Sequence, residues 1–318
     1  MSYYLGIDTS NYTTSAAVYD TAAKTIIHAK KLLPVKDGEC GLRQSDAVFH
    51  HIQQLPDIIG SVLLDFDENI AAVGVSSRPR DVDGSYMPCF TVGHSTAKVL
   101  SSVLRVPLYT FSHQSGHIAA ALYSSRKTQL IGERFLAFHV SGGTTEAVIV
   151  TPDSEHIIRA ELVAKTLDLN AGQLVDRVGV MLGLHFPCGA ALEQLAVRNT
   201  EKFPKVHPTL KGSDCCLSGV ENICRRAYEN GASKESVSAL CLEYIKMTLD
   251  NMCSRLLEQY GEMPVLFAGG VMSDKIIKDH ITEKFGAYFA QPEFSADNAA
   301  GTALLCALKH ELISKDEK

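Results

Sequence analysis

The chain reads as an α/β protein in which one unit is used twice. Short β-rich runs alternate with helical ones along most of the 318 residues, the pattern of a layered α/β fold. The order of three strands, helix, strand, helix, strand, helix begins at residue 3. From residue 134 three more strands follow, then a long helical region and a strand–helix–strand–helix ending. Composition agrees: 46% hydrophobic and 21% charged residues are ordinary for a globular protein, and the length gives each half enough chain for its own core.

Taken in order, YYLGID (3–8), TTSAAVYD (13–20) and TIIHAKKLL (25–33) read as three strands, with a polar corner at 9–12. Val48, Ile52, Leu55, Ile59 and Val62 follow helical spacing, with Ser45 as N-cap and a kink at Pro56. IAAVGVSS (70–77) is a buried strand, 88–104 a helix, 105–111 a strand, and a helix follows over the two histidines His113 and His117. In the second copy, 134–143, 144–151 and 156–162 are strands, and 170–198 and 217–259 are mostly helical. Residues 199–216 read as a surface loop. A strand at 264–270, a helix over 272–284, a strand at 287–290 and a helix over 298–313 close the chain. A unit that opens on a polar-tipped hairpin and occurs twice is the layout of the actin-like (ASKHA, RNase H-like) folds. The expectation is lobe I at 1–130, lobe II at 131–297, and a C-terminal helix, 298–318, packing back on the lobe interface. A nucleotide and metal cleft is expected between the lobes.

Several function classes are disfavoured by composition. The nine cysteines are odd in number, show no CxxC spacing and include the adjacent Cys215 and Cys216. They read as reduced thiols of a cytoplasmic protein, not a disulfide framework. The first residues are strand-like, without the charged and apolar regions of a leader, and no apolar run approaches a membrane span. A net charge of −6 argues against a broad basic surface for nucleic acid and leaves room for a local patch.

The stretch with the most chemistry is 113–117. Two histidines four apart on a helix share a face, their Cβ atoms roughly 6 Å apart, which suits one divalent metal. Zincins use this spacing with a Glu after the first His as general base; Gln114 stands there instead, so peptide hydrolysis lacks its base. A third ligand must come from elsewhere, and the candidate is Asp297. The spacing alone is equally that of one capping and one core histidine. Glycine-bearing turns at Val140, Ser141, Gly142 and Gly143, and again at Gly269 and Gly270, fall at strand ends where backbone N–H groups can meet phosphate oxygens or a ribose. The polar turn at 9–14 occupies the equivalent place in the first copy. No Walker motif is present, and each turn taken singly is also an ordinary tight turn.

These motifs together resemble the tRNA threonylcarbamoyladenosine transferases, a family once called glycoproteases or O-sialoglycoprotein endopeptidases. LGIDTS (5–10) resembles its opening strand and loop, SHQSGH (112–117) its metal helix, and VSGG (140–143) its phosphate loop. The run 171–189 follows a family helix and turn, with Asp176 and Gly189 at substrate-binding positions. LSGV (217–220), AGGV (268–271) and ADNA (296–299) match three further motifs, the last supplying Asp297. The resemblance implies one iron or zinc held by His113, His117 and Asp297. It also implies threonylcarbamoyl-AMP bound through Ser10, Val140, Ser141, Gly142, Gly143, Asp176, Gly189, Gly269, Gly270 and Asp274. Asp8 is the carboxylate left for proton work. The acceptor would be the tRNA adenine just 3′ of the anticodon, with AMP leaving.

The chain departs from the family in several places. The family's first loop carries an adjacent acid pair where Tyr12 and Thr13 stand, and its Gly-Pro-Gly-Leu turn is replaced by SRPRDVDG at 77–84. Thr144 replaces His or Asn, Glu221 a Lys, and Asp274 an Asn. The pattern is that of a divergent paralogue. It predicts weak tRNA binding by the isolated protein and admits two alternatives. One is a metal-dependent hydrolase or carbamoyl-type transferase on another adenylate; the other is a non-catalytic chain that dimerises with a related actin-like protein.

Overall fold

The computed structural model describes residues 2–34, 42–64, 70–202, 205–295 and 299–316. Internal contacts divide the chain into two units. Unit 1 holds Met1–Glu133, Thr151–Ala160 and Glu293–Lys318, and unit 2 holds Arg134–Val150 and Glu161–Pro292.

Unit 1 runs β1 (Tyr3–Thr9), β2 (Thr13–Asp20), β3 (Thr25–Leu32), α1 (Gln44–Leu63), β4 (Ile70–Arg78), α2 (Phe90–Leu104), β5 (Leu108–Ser112) and α3 (His113–Ser124). Its sheet has the order β3-β2-β1-β4-β5. The first three strands are antiparallel meanders, while β4 and β5 run parallel to β1. After α3 the chain makes β6 (Phe135–Val140), β7 (Thr145–Asp153) and β8 (Ile157–Lys165), the end of β7 and the start of β8 counting with unit 1, and then α4 (Ala171–Met181) and α5 (Gly189–Val197) of unit 2. Then come β9 (Thr209–Lys211), β10 (Asp214–Cys216), α6 (Ser218–Glu229), α7 (Lys234–Tyr260), β11 (Val265–Ala268), α8 (Lys275–Phe285), β12 (Tyr288–Phe289) and α9 (Pro292–Ser295). The second sheet reads β12-β11-β6-β7-β8, so equivalent strands take the same order in both sheets. No described helix is long and apolar enough to cross a membrane.

Alternation along β1 explains the layering of unit 1. Leu5 and Ile7 point to one face and are fully buried against Leu55, Ile59, Val62 and Ala97 of α1 and α2. Gly6 and Asp8 point to the other face, where the last helix, α10 (Ala300–Asp316), lies. A Cβ on Gly6 would come within 2.7 Å of the Ala299 carbonyl oxygen, and one on Gly74 within 2.7 Å of the Cys306 Cβ. A Cβ on Gly301 would overlap the Gly116 carbonyl oxygen of α3. Residues 301–307 are all buried, which is why this segment carries no charged residue on any side.

Three expectations change. Helix α1 takes Arg43, not Ser45, as its N-cap, and it runs through Pro56 to Leu63. Its buried stripe is Ala47, His51, Gln54, Leu55, Ile59 and Val62, while Ile52 is 58% exposed. Part of that face meets polar loop groups, which need polar partners rather than aliphatic ones. Segment 199–216 contains the hairpin β9–β10, and its Cys215 is buried, its carbonyl accepting from the Leu167 N–H at 2.8 Å. Helix α10 counts with unit 1, where it lies close over Gly6 and Gly74.

Replacing Gly301 by Ala inserts a methyl where α10 and α3 touch backbone to backbone. Overpacking of this kind costs about 3 kcal/mol, read as a lower urea midpoint at unchanged m-value.

Candidate functional site

The site residues of unit 1 gather where β1 ends and α3 begins. Helix α3 is capped by Ser112, whose Oγ accepts from the Ser115 N–H at 3.0 Å. The Ser112 and Ser115 hydroxyls both reach Asp81 Oδ2, at 2.8 and 2.7 Å, and Arg78 donates to Asp81 Oδ1 at 2.8 Å. The Gln114 N–H donates to the Pro79 carbonyl at 3.0 Å. Segment 77–84, so unlike its family counterpart, therefore fastens the first turn of the histidine helix.

That turn presents His113 with Nδ1 at 2.8 Å from Asp8 Oδ1 and Nε2 at 2.9 Å from His117 Nε2. Asp8 is 1% exposed, and its Oδ2 has no hydrogen-bond partner among the described residues. The Phe90 ring stands beside His113, centroids 5.7 Å apart. The carboxylate expected to do proton work on substrate is thus buried against a histidine ring. Ser10 is buried too; its carbonyl accepts from His51 Nε2 at 2.8 Å, and Thr14 Oγ1 lies 2.8 Å from His51 Nδ1. Burial holds the His51 pKa below the usual histidine range, so this ring is neutral and supports the loop. Sequence reasoning missed His51, Asp81 and Gln44, whose amide nitrogen donates to Asn11 Oδ1.

The donor pair fits a divalent cation. Nitrogen ligands at bond lengths near 2.0–2.1 Å lie about 3.3 Å apart around a tetrahedral metal, so a small ring rotation opens the 2.9 Å separation enough. The orphaned Asp8 Oδ2 also marks a place where positive charge is wanted. Asp297, the expected third ligand, lies outside the described residues. Among the described residues no group of three His, Cys, Asp or Glu is arranged to hold a metal.

Unit 2 contains a cavity of about 340 Å³, within the range of small-molecule sites. It brings together Gly142, Asp176, Gly189, Gly270 and Asp274 of the expected residues. Val140 lies beneath, fully buried. Gly269 has φ +102°, and a Cβ there would overlap the Val140 carbonyl oxygen, so both shape the loops rather than line the cavity. Ser141 and Gly143 flank Gly142. Ser141 Oγ accepts from the Thr144 N–H at 3.1 Å, and the Ser141 carbonyl from the Gly172 N–H at 3.1 Å. The cavity also takes in Gly172 and Glu193, which sequence reasoning passed over. Glu193 follows Gly189 by four on α5, the same helix face, and that spacing was the available signal.

Three carboxylates, Asp176, Glu193 and Asp274, line the cavity with apolar residues, and no Lys or Arg is among the lining residues. Each has one oxygen on a backbone N–H: Cys188 for Asp176 at 2.9 Å, Lys275 for Glu193 at 2.9 Å, Ile277 for Asp274 at 3.0 Å. Such a wall accepts from hydroxyl and amino donors. Burial, with Glu193 adding repulsion, pushes the Asp274 carboxyl up to about 6.

A carboxyl whose folded pKa lies above its ordinary 3.8 binds its proton more tightly when native. It therefore favours folding at low pH and turns into a cost as pH rises through about 6. Asn keeps the N-cap of α8 without the charge. Asp274→Asn should raise stability by roughly 2–3 kcal/mol at pH 8 and little at pH 4, checked by thermal melts at both.

Comparison with known proteins completes the picture. A relative from Methanopyrus kandleri, named tRNA N6-adenosine threonylcarbamoyltransferase, is 29% identical over 280 residues, 85% of this chain and 77% of that protein. A probable bifunctional tRNA threonylcarbamoyladenosine biosynthesis protein from Methanothermobacter thermautotrophicus is 26% identical over 318 residues; the match takes in 57% of its length. Among solved structures, full-length HypF, in a phosphate- and nucleotide-bound form, aligns at TM-score 0.60 and 13% identity, over 98% of this chain and 46% of that one. Component A of the Acidaminococcus fermentans (R)-2-hydroxyglutaryl-CoA dehydratase aligns at 0.57 and 14%, over 98% and 100%. At these identities the structures speak for the fold, and the fold is the actin-like α/β one with its sheet present twice. Residues 26–304 match the family model described as tRNA N6-adenosine threonylcarbamoyltransferase, and the chain belongs to that family as a divergent member.

Proposed function

We propose that this chain is a metal-dependent transferase of the cytoplasm that moves a threonylcarbamoyl group from threonylcarbamoyl-AMP to the adenine beside the tRNA anticodon. The observation that carries the reading is the pair of imidazole nitrogens, His113 Nε2 and His117 Nε2, 2.9 Å apart on the first turns of one helix. With Asp297 they would hold one iron or zinc ion. When bound, that ion supplies Lewis acidity to the carbonyl of the transferred group.

The remaining work falls to the chain itself. Asp176, Glu193 and Asp274 accept from ribose hydroxyls and the adenine amine, and the apolar lining of their cavity takes the base. Gly142 and Gly270, lacking side chains, leave backbone N–H groups open to the adenylate. In the reaction the exocyclic nitrogen of the acceptor adenine bonds to the carbamoyl carbon. The bond from that carbon to the adenylate oxygen breaks, AMP departs, and the nitrogen loses one proton.

tRNA is the difficult partner. Glu221, where the family has Lys, stands 3.0 Å from both Arg177 and Arg225. It spends two exposed cations that an RNA phosphate would otherwise use. A basic partner protein, such as a related actin-like chain, would then bring tRNA to the enzyme. A relative named as bifunctional is in keeping with such an assembly.

Two experiments test this. His117→Ala should reduce bound metal from one ion per chain to near zero and abolish transfer from synthetic threonylcarbamoyl-AMP to tRNA. Metal-loaded wild-type protein that hydrolyses the adenylate without transferring it even at low salt and saturating tRNA, where weak binding no longer limits, would replace the proposal by the hydrolase. Glu221→Lys should tighten tRNA binding and steepen its salt dependence, the slope of log K against log salt growing by about 1–3; filter binding at two salt concentrations reads it.

A further inference from the structure

The geometry points to Asp8 as the positioning residue of the metal pair: its carboxylate keeps the His113 proton on Nδ1 and turns the Nε2 lone pair towards the place shared with His117. This rests on the metal reading above.

An ionised carboxylate only accepts hydrogen bonds, so the 2.8 Å contact from His113 Nδ1 to Asp8 Oδ1 places a proton on Nδ1. A neutral imidazole has one N–H, which leaves Nε2 as the ligand atom. Carboxylate–histidine pairs behind a metal raise ligand basicity and fix ring orientation. Here the carboxylate is itself held still. Asp8 pairs with Ser15 across β1 and β2, and its carbonyl accepts from the Ser15 hydroxyl at 3.3 Å. Phe90 borders the His113 ring, and the Asp81 anchor fixes the backbone next to it. Asp8 is 1% exposed, and its Oδ2 has no partner among the described residues. An isolated buried carboxylate is expensive, and a dication one ring away offsets that cost. Asp8 is thus a group that acts behind the ligand ring, with no proton traffic to substrate.

The test uses the whole chain, stripped by chelator and titrated with Co(II), with Zn(II) in competition. Wild type should bind one ion per chain and show a ligand-field spectrum. Asp8→Asn should weaken binding roughly 10- to 100-fold and change the spectrum. It should also remove the exchange-protected Nδ1–H proton resonance expected from zinc-loaded wild type. Asp8→Glu should restore affinity and resonance, a rescue that a purely structural role would not produce. Circular dichroism and AMP-induced stabilisation report folding. An Asp8→Asn chain with wild-type affinity and spectrum overturns the assignment and leaves the metal reading standing; wild type that binds no metal overturns both. Should Asp8→Asn not fold, Asp8→Glu decides: a retained resonance supports the assignment, and wild-type affinity without it overturns it.

Discussion

Backbone touches backbone where α10 crosses the sheet and α3 in unit 1, and most of that unit follows from this contact. Gly6 and Gly74 on the sheet and Gly301 on α10 leave no room for a Cβ, and one on Gly116 would press on the Thr302 hydroxyl at 3.0 Å. Helix α10 can therefore lie directly on the strands, and α3 can lie against α10. The Thr302 hydroxyl closes the layer on Ser76 at 3.1 Å. The position of His113 and His117 is set by this stack together with the Asp81 anchor on their first turn. Close packing of this kind transmits small displacements, so the histidine helix is only as well placed as the glycines allow.

Around that stack the polar groups are arranged so that each loop has a dedicated partner. The turn after β1 is held by His51 and Gln44 from α1, and the turn after β4 is held through Asp81. A loop pinned at several points pre-pays the ordering entropy that a ligand would otherwise have to supply. The acid pair of the family is missing from the first turn, yet the turn is not loose. Thr13 is buried in β2, and the Tyr12 carbonyl accepts from the Leu33 N–H at 2.8 Å.

Much of this was legible in the sequence, and the reason is periodicity. Leu5 and Ile7 against Gly6 and Asp8 announce a strand with two different faces, and the repeated strand–helix order announces the doubled sheet. The histidine helix was legible because four-residue spacing has a direct geometric meaning. What stayed hidden were relations between distant segments. Val48 and Ile52 suggested the buried stripe of α1, but polar groups on the neighbouring strand and loop favoured His51 and Gln54, and no helical pattern carries that information. Asp8 looked like a free carboxylate because its partner lies 105 positions away. The hairpin in 199–216 was concealed by Pro, Gly and paired Cys, which read as surface until Cys215 is seen paired to the segment after β8.

The discontinuity of unit 1 has a consequence for biosynthesis. Its sheet and its first three helices are made early, but the helix that covers one face of the sheet comes after the whole of unit 2 in the chain. On the ribosome the face bearing Gly6, Gly74 and Asp8 waits uncovered while residues 134–292 are made, and domains that emerge complete fold first. Unit 2 holds its sheet and its long helix in one nearly continuous segment and has no such delay. The order of maturation then runs against the order of translation: the half that is made first is finished last. The exposed glycine-lined face is what a chaperone would meet in the interval.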